Sequence, residues 1–409
     1  MARGPARHWP IAWLAIAAYA AVGAGAAETG ATGSGEDVDV VTQPLLQSIE
    51  QEEARNGPFS RNLIDLLTSL GLAYQEHDRH DLALGMFDRA LFLTRFNDGL
   101  FGLDQAALVK RLIASEIAIG RVSSAAALEE RLLELARRSP LDPRASQIFR
   151  EAAERELGYY ERYLRGETPP GITIFEVQGW QQAAAASVWG ARQYYNAAKF
   201  ALLGNPAEHQ AELAELEERL ARTYYLEASA RHRWYRGPGD MLYGLGLGSY
   251  QRRLGYAQAG SSTAADYARS LVELADWSLL FSRNGTAVKR YAEAHALLVE
   301  QRAPAAAFEQ LFPADIPVFL PTFESPLAGA AILGSGGYID VDFEIGRYGQ
   351  PRNVKIVAVA GEDAAATSKE LAAAINNGRF RPSPRADAER WTAYRVRYSL
   401  ADGSLAPRL

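Results

Sequence analysis

Cysteine is absent from all 409 residues. That excludes disulfides, a thiol nucleophile, a thiolate zinc site and an acylated lipoprotein cysteine. If the chain is exported, nothing covalent staples it, and its stability rests on packed cores. Neither Gly-x-Ser-x-Gly nor His-Glu-x-x-His occurs, so two common hydrolase signatures are missing. No sign of charge dominates: the formal net charge is −6, with both signs interspersed, which argues against a dedicated nucleic-acid surface. What is present is ordinary globular composition, 48% apolar and 22% charged, over a length that suits two or three domains.

The first 27 residues read as a secretory signal peptide. Arg3 and Arg7 form a basic start, Trp9 to Val22 an apolar core, and Ala24-Gly25-Ala26 a small-residue cleavage site. The competing reading is an uncleaved anchor, because Trp9 to Ala27 is near the minimum length of a spanning helix. Residues 28–42 are rich in Gly, Ser, Thr and acids and read as a disordered linker.

Residues 43–302 carry helical periodicity almost throughout. Leu67-x2-Leu70-Gly71-x2-Tyr74 followed by Ala83-x3-Phe87-x2-Ala90 has the spacing of a tetratricopeptide repeat. Gly71 and Ala83 fall where the two helices approach most closely, and Leu70, Tyr74 and Phe87 fill the space between them. Leu67 stands where Trp is usual, and Arg95 where a closing Pro is usual. A second window, Leu271-x2-Leu274-Ala275 with Ala287-x3-Tyr291-x2-Ala294, repeats the spacing with Ser278 at the Tyr position. The chain thus resembles tetratricopeptide repeat proteins in two windows, with less regular helices between: 108–119, 125–138, 146–164, a hairpin of 180–203 with 208–234, and 242–258. Residues 165–179, with Pro169-Pro170-Gly171 and the β-like run Ile172 to Phe175, interrupt them as a loop. Residues 303–335 form a proline-rich segment whose interleaved phenylalanines predict an extended chain docked along the helical domain.

The last segment changes period. Ile339, Val341, Phe343 and Ile345 alternate with Asp340, Asp342 and Glu344, which predicts a half-buried strand. A turn at 347–351, a second strand at 354–359 and a helix at 365–377 follow, with Gly378 as a fitting residue just past the helix end. Tyr394, Val396, Tyr398 and Leu400 then alternate with Arg395, Arg397 and Ser399 in a third strand. The helix must cross the sheet, so the third strand falls beside the first, in the order 2-1-3. The run Gly337 to Ile345, with Tyr348-Gly349, Asn353-Val354-Lys355-Ile356 and Arg379-Phe380-Arg381-Pro382, resembles the TonB C-terminal domain over residues 336–402. The resemblance implies a small periplasmic α+β module that binds proteins, and a third-strand edge that accepts an extended partner segment. The candidate residues are Tyr394, Arg395, Val396, Arg397 and Tyr398, and the two arginines favour an acidic segment. They also read as edge charges that protect against aggregation.

Other constellations have bland readings. His77-Asp78-Arg79-His80-Asp81 lies in an inter-helix turn. His209, His232 and His295 are scattered singly. Gly244-Leu245-Gly246-Leu247-Gly248 follows no strand and reads as close helix packing or a helix break rather than a phosphate cradle. Arg231, Arg233, Arg236, Arg252 and Arg253 interleave with Trp234, Tyr235, Tyr243 and Tyr250. That cluster reads as an amphipathic helix pair with snorkelling arginines, or as a ligand groove of Arg233, Trp234, Tyr243, Tyr250 and Arg252.

Together these readings predict a multidomain chain: an all-α tetratricopeptide-like solenoid, a docked linker and a small ββαβ domain. The expected role is a periplasmic, non-enzymatic adaptor for other envelope proteins, with no cofactor, no metal and no nucleic acid. One expected partner is an extended acidic segment of an outer-membrane protein. Membrane contact is expected only through an uncleaved N-terminal segment. The alternative is a TonB-like energy transducer anchored in the inner membrane.

Overall fold

A computed structural model describes residues 35–164, 177–234, 239–259, 263–320, 337–361, 364–384, 392–399 and 405–407. The segment 1–27, the loop at 165–176 and most of the proline-rich stretch after Leu320 lie outside the described residues. Helices dominate: α1 (Gly35–Asn56), α2 (Leu63–Glu76), α3 (His80–Asp98), α4 (Ala106–Ala118), α5 (Val122–Arg138), α6 (Pro143–Leu164), α7 (Val177–Leu202), α8 (Gln210–Trp234), α9 (Gly239–Ala259), α10 (Ala264–Leu280), α11 (Asn284–Glu300) and α12 (Ala305–Leu311). Among the described residues no helix is long and apolar enough to cross a membrane.

The chain folds as two units, described separately. The first comprises residues 1–155, 168–180 and 197–204; the second holds the remainder. In the first, α2 and α3 pack through Leu63, Leu67, Leu70, Ala83, Phe87 and Ala90, all buried. A Cβ on Gly71 would sit 2.5 Å from Phe87 Cε1. The missing methyl group is therefore what lets the Phe87 ring lie flat against α2. One expectation fails here. Residues 35–42 are the start of α1, not linker, and Thr42 is buried. Asp39, Val40 and Val41 are exposed, while Thr42 and Ile49 supply the packed side.

In the second unit, α8 to α11 pack in sequence. Gly246 sits where α9 meets α10, and a Cβ there would overlap the Trp277 ring. Close packing thus explains Gly246, whereas Gly244 has open space beside it, and α9 continues through the run without a break. After α11 the chain does not run extended, as its prolines predict. Pro304 and Pro313 bracket α12, whose Ala-Ala-Ala-Phe-Glu-Gln-Leu sequence is rich in helix formers.

The terminal domain contains β2 (Tyr338–Ile345), β3 (Pro351–Ala360), α13 (Ala364–Asn377), β5 (Thr392–Ser399) and β6 (Leu405–Pro407). Two short strands, β1 (Phe319–Leu320) and β4 (Arg379–Phe380), pair with each other outside this sheet. The main sheet is antiparallel, in the order β3-β2-β5-β6. Its first three strands have the order that a helix crossover requires. Ile339, Val341, Phe343 and Ile345 share one face with Tyr394, Val396 and Tyr398, and pack there with Leu371, Ile375 and Phe380. Gly378 has no positive φ. It is needed instead because a Cβ there would stand 2.6 Å from the Phe319 ring.

Candidate functional site

The junction between α10–α12 and the terminal domain is built from residues that alternate in direction. Strand geometry sends successive side chains to opposite sides. Phe319 accordingly packs against Phe380 in the core of the sheet, while Val318 and Leu320 join the cluster of α10, α11 and α12 with Leu279, Tyr291 and Leu311. One residue beyond β4, Arg381 enters the helices. Its Nε and Nη2 donate to Asp276 Oδ1 and Oδ2 at 3.1 and 2.6 Å, and Nη1 donates to the Leu311 carbonyl at 2.7 Å. Its own backbone N–H donates to the Val318 carbonyl at 2.8 Å. Tyr291 donates its hydroxyl to Asp276 Oδ1 at 2.6 Å. Burial works against the Arg381 charge, but the Asp276 carboxylate more than offsets it, so the guanidinium pKa lies above its usual value. Burial, then Asp276, push the Tyr291 hydroxyl pKa well up, which keeps it a donor. Gly349, at φ +71°, completes the junction: a Cβ there would strike the Phe380 carbonyl, and its own carbonyl accepts the Phe380 N–H at 3.0 Å.

The expected strand-addition edge needs correction. Strand β5 is not the margin of the sheet, because β6 pairs along it: Val396 with Pro407, Arg397 with Ala406, and Tyr398 with Leu405. Tyr394, Val396 and Tyr398 are core residues. Arg397 grips Asp340 with two bonds of 2.8 and 2.9 Å and lies 3.8 Å above the Tyr338 ring, so it braces β2 and β5. Arg395 is exposed on the same face. The opposite margin, β3, is irregular. Its register with β2 slips twice, with Asn353 at φ +55° in the first slip and Val357 as the extra residue in the second. Bulges and a lysine at 355 discourage another strand from adding.

Of the groove expected from Arg233, Trp234, Tyr243, Tyr250 and Arg252, the described side chains are engaged by neighbouring helices. The side chains of Arg233 and Trp234 lie outside the described residues. Tyr243 and Tyr250 pack their rings against Phe281 and Trp277, and the Tyr243 carbonyl accepts from Trp277 Nε1 at 3.1 Å. Arg252 caps the fully buried Glu217 with bonds of 2.7 and 2.9 Å. Beside it, Arg253 contacts Glu273 and lies 3.4 Å from Glu218. Burial pushes the Glu273 carboxyl up to about 7, Glu218 and Asp276 add to this, and Arg253 opposes it. These arginines join helices to one another.

The His77–Asp81 turn is equally local. His77 Nδ1 lies 2.8 Å from the Ala73 carbonyl, and His80 reaches Ser115. Among the described residues no group of three His, Cys, Asp or Glu could hold a metal ion. A feature that sequence reasoning missed is a stack of three exposed rings, Phe59, Phe92 and Phe96, with centroids 5.1 to 6.5 Å apart. Part of the signal was there, since Phe59 follows Gly57-Pro58, while Phe92 and Phe96 stand four apart on α3. Single exposed rings are ordinary, but a contiguous apolar patch marks an interaction site.

No family model and no curated protein matches the chain. Solved structures similar to it include BtubC (BKLC) from P. vanneervenii, at 14% identity and a TM-score of 0.29, over 66% of this chain and 92% of that one. Another is the C-terminal part of a TPR repeat-containing protein from Cytophaga hutchinsonii, at 12% identity and a TM-score of 0.30, over 68% and 98%. Scores this low carry no argument.

Proposed function

We propose that the protein is a non-enzymatic adaptor of the cell envelope, a tetratricopeptide-like helical scaffold that ends in a TonB C-terminal-like domain. The junction is the observation that carries this reading. Phe319 and Leu320 divide their side chains between two cores, and Arg381 is bonded to Asp276 and to the Leu311 carbonyl. A domain held so firmly suits a fixed binding surface. A transducer needs a slack tether to pass on movement, so the junction ranks the adaptor above the energy transducer. Strand addition along Val396–Tyr398 would first require β6 to leave, which favours the helical surface as the contact for partners.

Fractionation of the native protein with mass measurement of its N-terminus tests the location. The expected result is a mature start near Ala27 or Glu28 in the soluble periplasm. An intact N-terminus in the inner membrane would overturn the adaptor and favour a transducer. Turnover of any member of a hydrolase substrate panel, surviving stringent purification, would overturn the non-enzymatic part.

A further inference from the structure

A group of exposed aromatic and leucine side chains in the first unit gathers at one end of its helices. Successive helices alternate in direction, so the α1–α2, α3–α4 and α5–α6 connections fall together. Contacts link them in a row. Asn97 Nδ2 donates to the Phe59 carbonyl at 3.3 Å, Arg61 meets Asp98 at 3.0 Å, and Arg144 meets Asp104 at 2.7 Å. Arg138 lies 3.8 Å above the Phe101 ring. At this end Phe59, Phe92, Phe96, Leu100, Phe101 and Leu141 are each between 41% and 62% exposed. The opposite end, among the described residues, exposes no aromatic ring, only Val40 and Val41 near the start of α1 at 72% and 47%, and Leu82 and Ile119 at 37% and 36%.

We propose that this face pairs isologously with a second copy of the same chain. Two observations choose that occupant. The first is area. A standard interface takes about 800 Å² from each partner and is about 60% apolar, so it needs roughly 500 Å² of apolar surface. Four phenylalanines at about half exposure and two leucines supply an area of that order. That is at the upper end of what a monomer leaves bare, about 300–600 Å².

The second is charge. Five arginines at this end each have an acidic partner: Arg61 with Asp98, Arg131 and Arg138 with Glu134, Arg137 with Glu130, and Arg144 with Asp104 and Asp142. A face of one sign would repel its own copy, and a face for anionic lipid needs cations that are not already paired. This face is balanced, so it can meet itself across a two-fold axis. The three stacked rings at its centre are suited to be the buried anchor.

The test is the mass of the full mature chain in solution, by sedimentation and light scattering over a range of concentrations. The wild type is expected to be a dimer. The double variant Phe92→Asp/Phe96→Asp is expected to be a monomer with unchanged circular dichroism and melting, its dimer weakened by about 30-fold or more. A wild type that stays monomeric at its highest soluble concentration, or a double variant that stays dimeric, overturns the proposal. So does a monomeric wild type that binds anionic vesicles and loses that binding in the variant. The absence of native cysteine gives a second route that does not depend on the charged variant folding. Phe96→Cys should cross-link to its own copy with a short bis-maleimide, and Leu82→Cys at the other end should not. Equal cross-linking at both positions would also overturn the proposal.

Discussion

The pair α2/α3 and the pair α10/α11 share one spacing and have different contents. Leu67, Leu70, Gly71, Ala83, Phe87 and Ala90 correspond to Leu271, Leu274, Ala275, Ala287, Tyr291 and Ala294. In the first pair the space between the helices is filled by apolar groups, with Phe87 lying on Gly71. In the second, two apolar positions turn polar, Leu72 to Asp276 and Phe87 to Tyr291, and the exposed Ser69 becomes the charged Glu273. All three lie in the network around Arg253 and Arg381. Ser278, where the first pair has Tyr74, is buried and accepts from Arg290 Nη1 at 2.8 Å. The repeat spacing fixes the helix pair. The substitutions on it decide whether that pair only packs or also receives another domain.

Breaking the difference at Asp276 should have the largest effect. Asp276→Ala leaves Arg381, whose side chain is 13% exposed, without its counter-charge. Removing one partner of a buried pair costs about 3–5 kcal/mol. Chemical denaturation should show that loss, and Asp276→Ala/Arg381→Met should recover much of it. If the single variant costs no more than a surface change, the junction does not hold the domain.

Glu273 should make the second pair sensitive to pH. Its folded pKa is raised, from an ordinary 4.5 to about 7, chiefly by burial. A carboxyl raised in this way binds its proton more tightly when folded. Its stabilising contribution is therefore complete below about pH 4.5 and is lost as pH rises to about 7, by up to ~3 kcal/mol. Arg253, Glu218 and Asp276 surround it. Stability measured across this window should fall less steeply in Glu273→Gln than in the wild type, whereas parallel curves would show that the group stays ionised throughout.

Tyr291→Phe makes the second pair resemble the first. It deletes one bond to a charged acceptor and should cost about 1.5–3 kcal/mol, with the Asp276–Arg381 pair still in place. The reverse exchange, Gly71→Ala, gives the first pair the residue of the second. The new methyl group would press on Phe87, a strain of about 1–3 kcal/mol that the better helix propensity of Ala offsets by about 1 kcal/mol. A small net loss is expected on thermal melting. A net gain would show that the ring shifts freely.

Much of this was legible in the sequence where a period was clean. The alternation in 338–345 and 392–399 located two strands and their buried faces, because side-chain direction follows directly from the backbone repeat. The crossover argument ordered three strands. It could not find β6, since Leu405-Ala406-Pro407 is three residues long and carries no pattern, so the covered edge was read as open. Composition misled at 35–42, where acids conceal a helix with one packed side. It misled again at 305–311, where flanking prolines mark the ends of a helix rather than an extended chain. Arg381 was visible only as part of a motif. Its partner lies 105 residues earlier, beyond the reach of any local pattern. The aromatic and arginine-rich run in α9 has a clear sequence pattern, but sequence could not show that Tyr243 and Tyr250 pack against α10 and its C-cap, or that the half-exposed Arg252 reaches the buried Glu217.

The smallest expected effect separates the two pairs at their first turns. Thr263, ahead of α10, accepts from the Asp266 N–H while Asp266 Oδ2 accepts from the Thr263 N–H at 3.0 Å, a reciprocal box. This box holds the Asp266 carboxyl below its usual range, with the Thr263 side chain as the main cause. Asn62, ahead of α2, makes no such cap, and its side chain instead reaches back to Glu52 on α1 at 2.9 Å. Thr263→Ala should therefore cost about 1 kcal/mol through lost backbone capping. Asn62→Ala removes only an exposed side-chain bond and should cost less. Melting both variants at two pH values distinguishes the causes. The Thr263 effect should shrink as Asp266 is protonated, because the Thr263 hydroxyl, which donates to Asp266 Oδ2 at 2.7 Å, then loses its charged acceptor. Equal losses at both pH values would mean that Thr263 acts only by accepting from the Asp266 N–H.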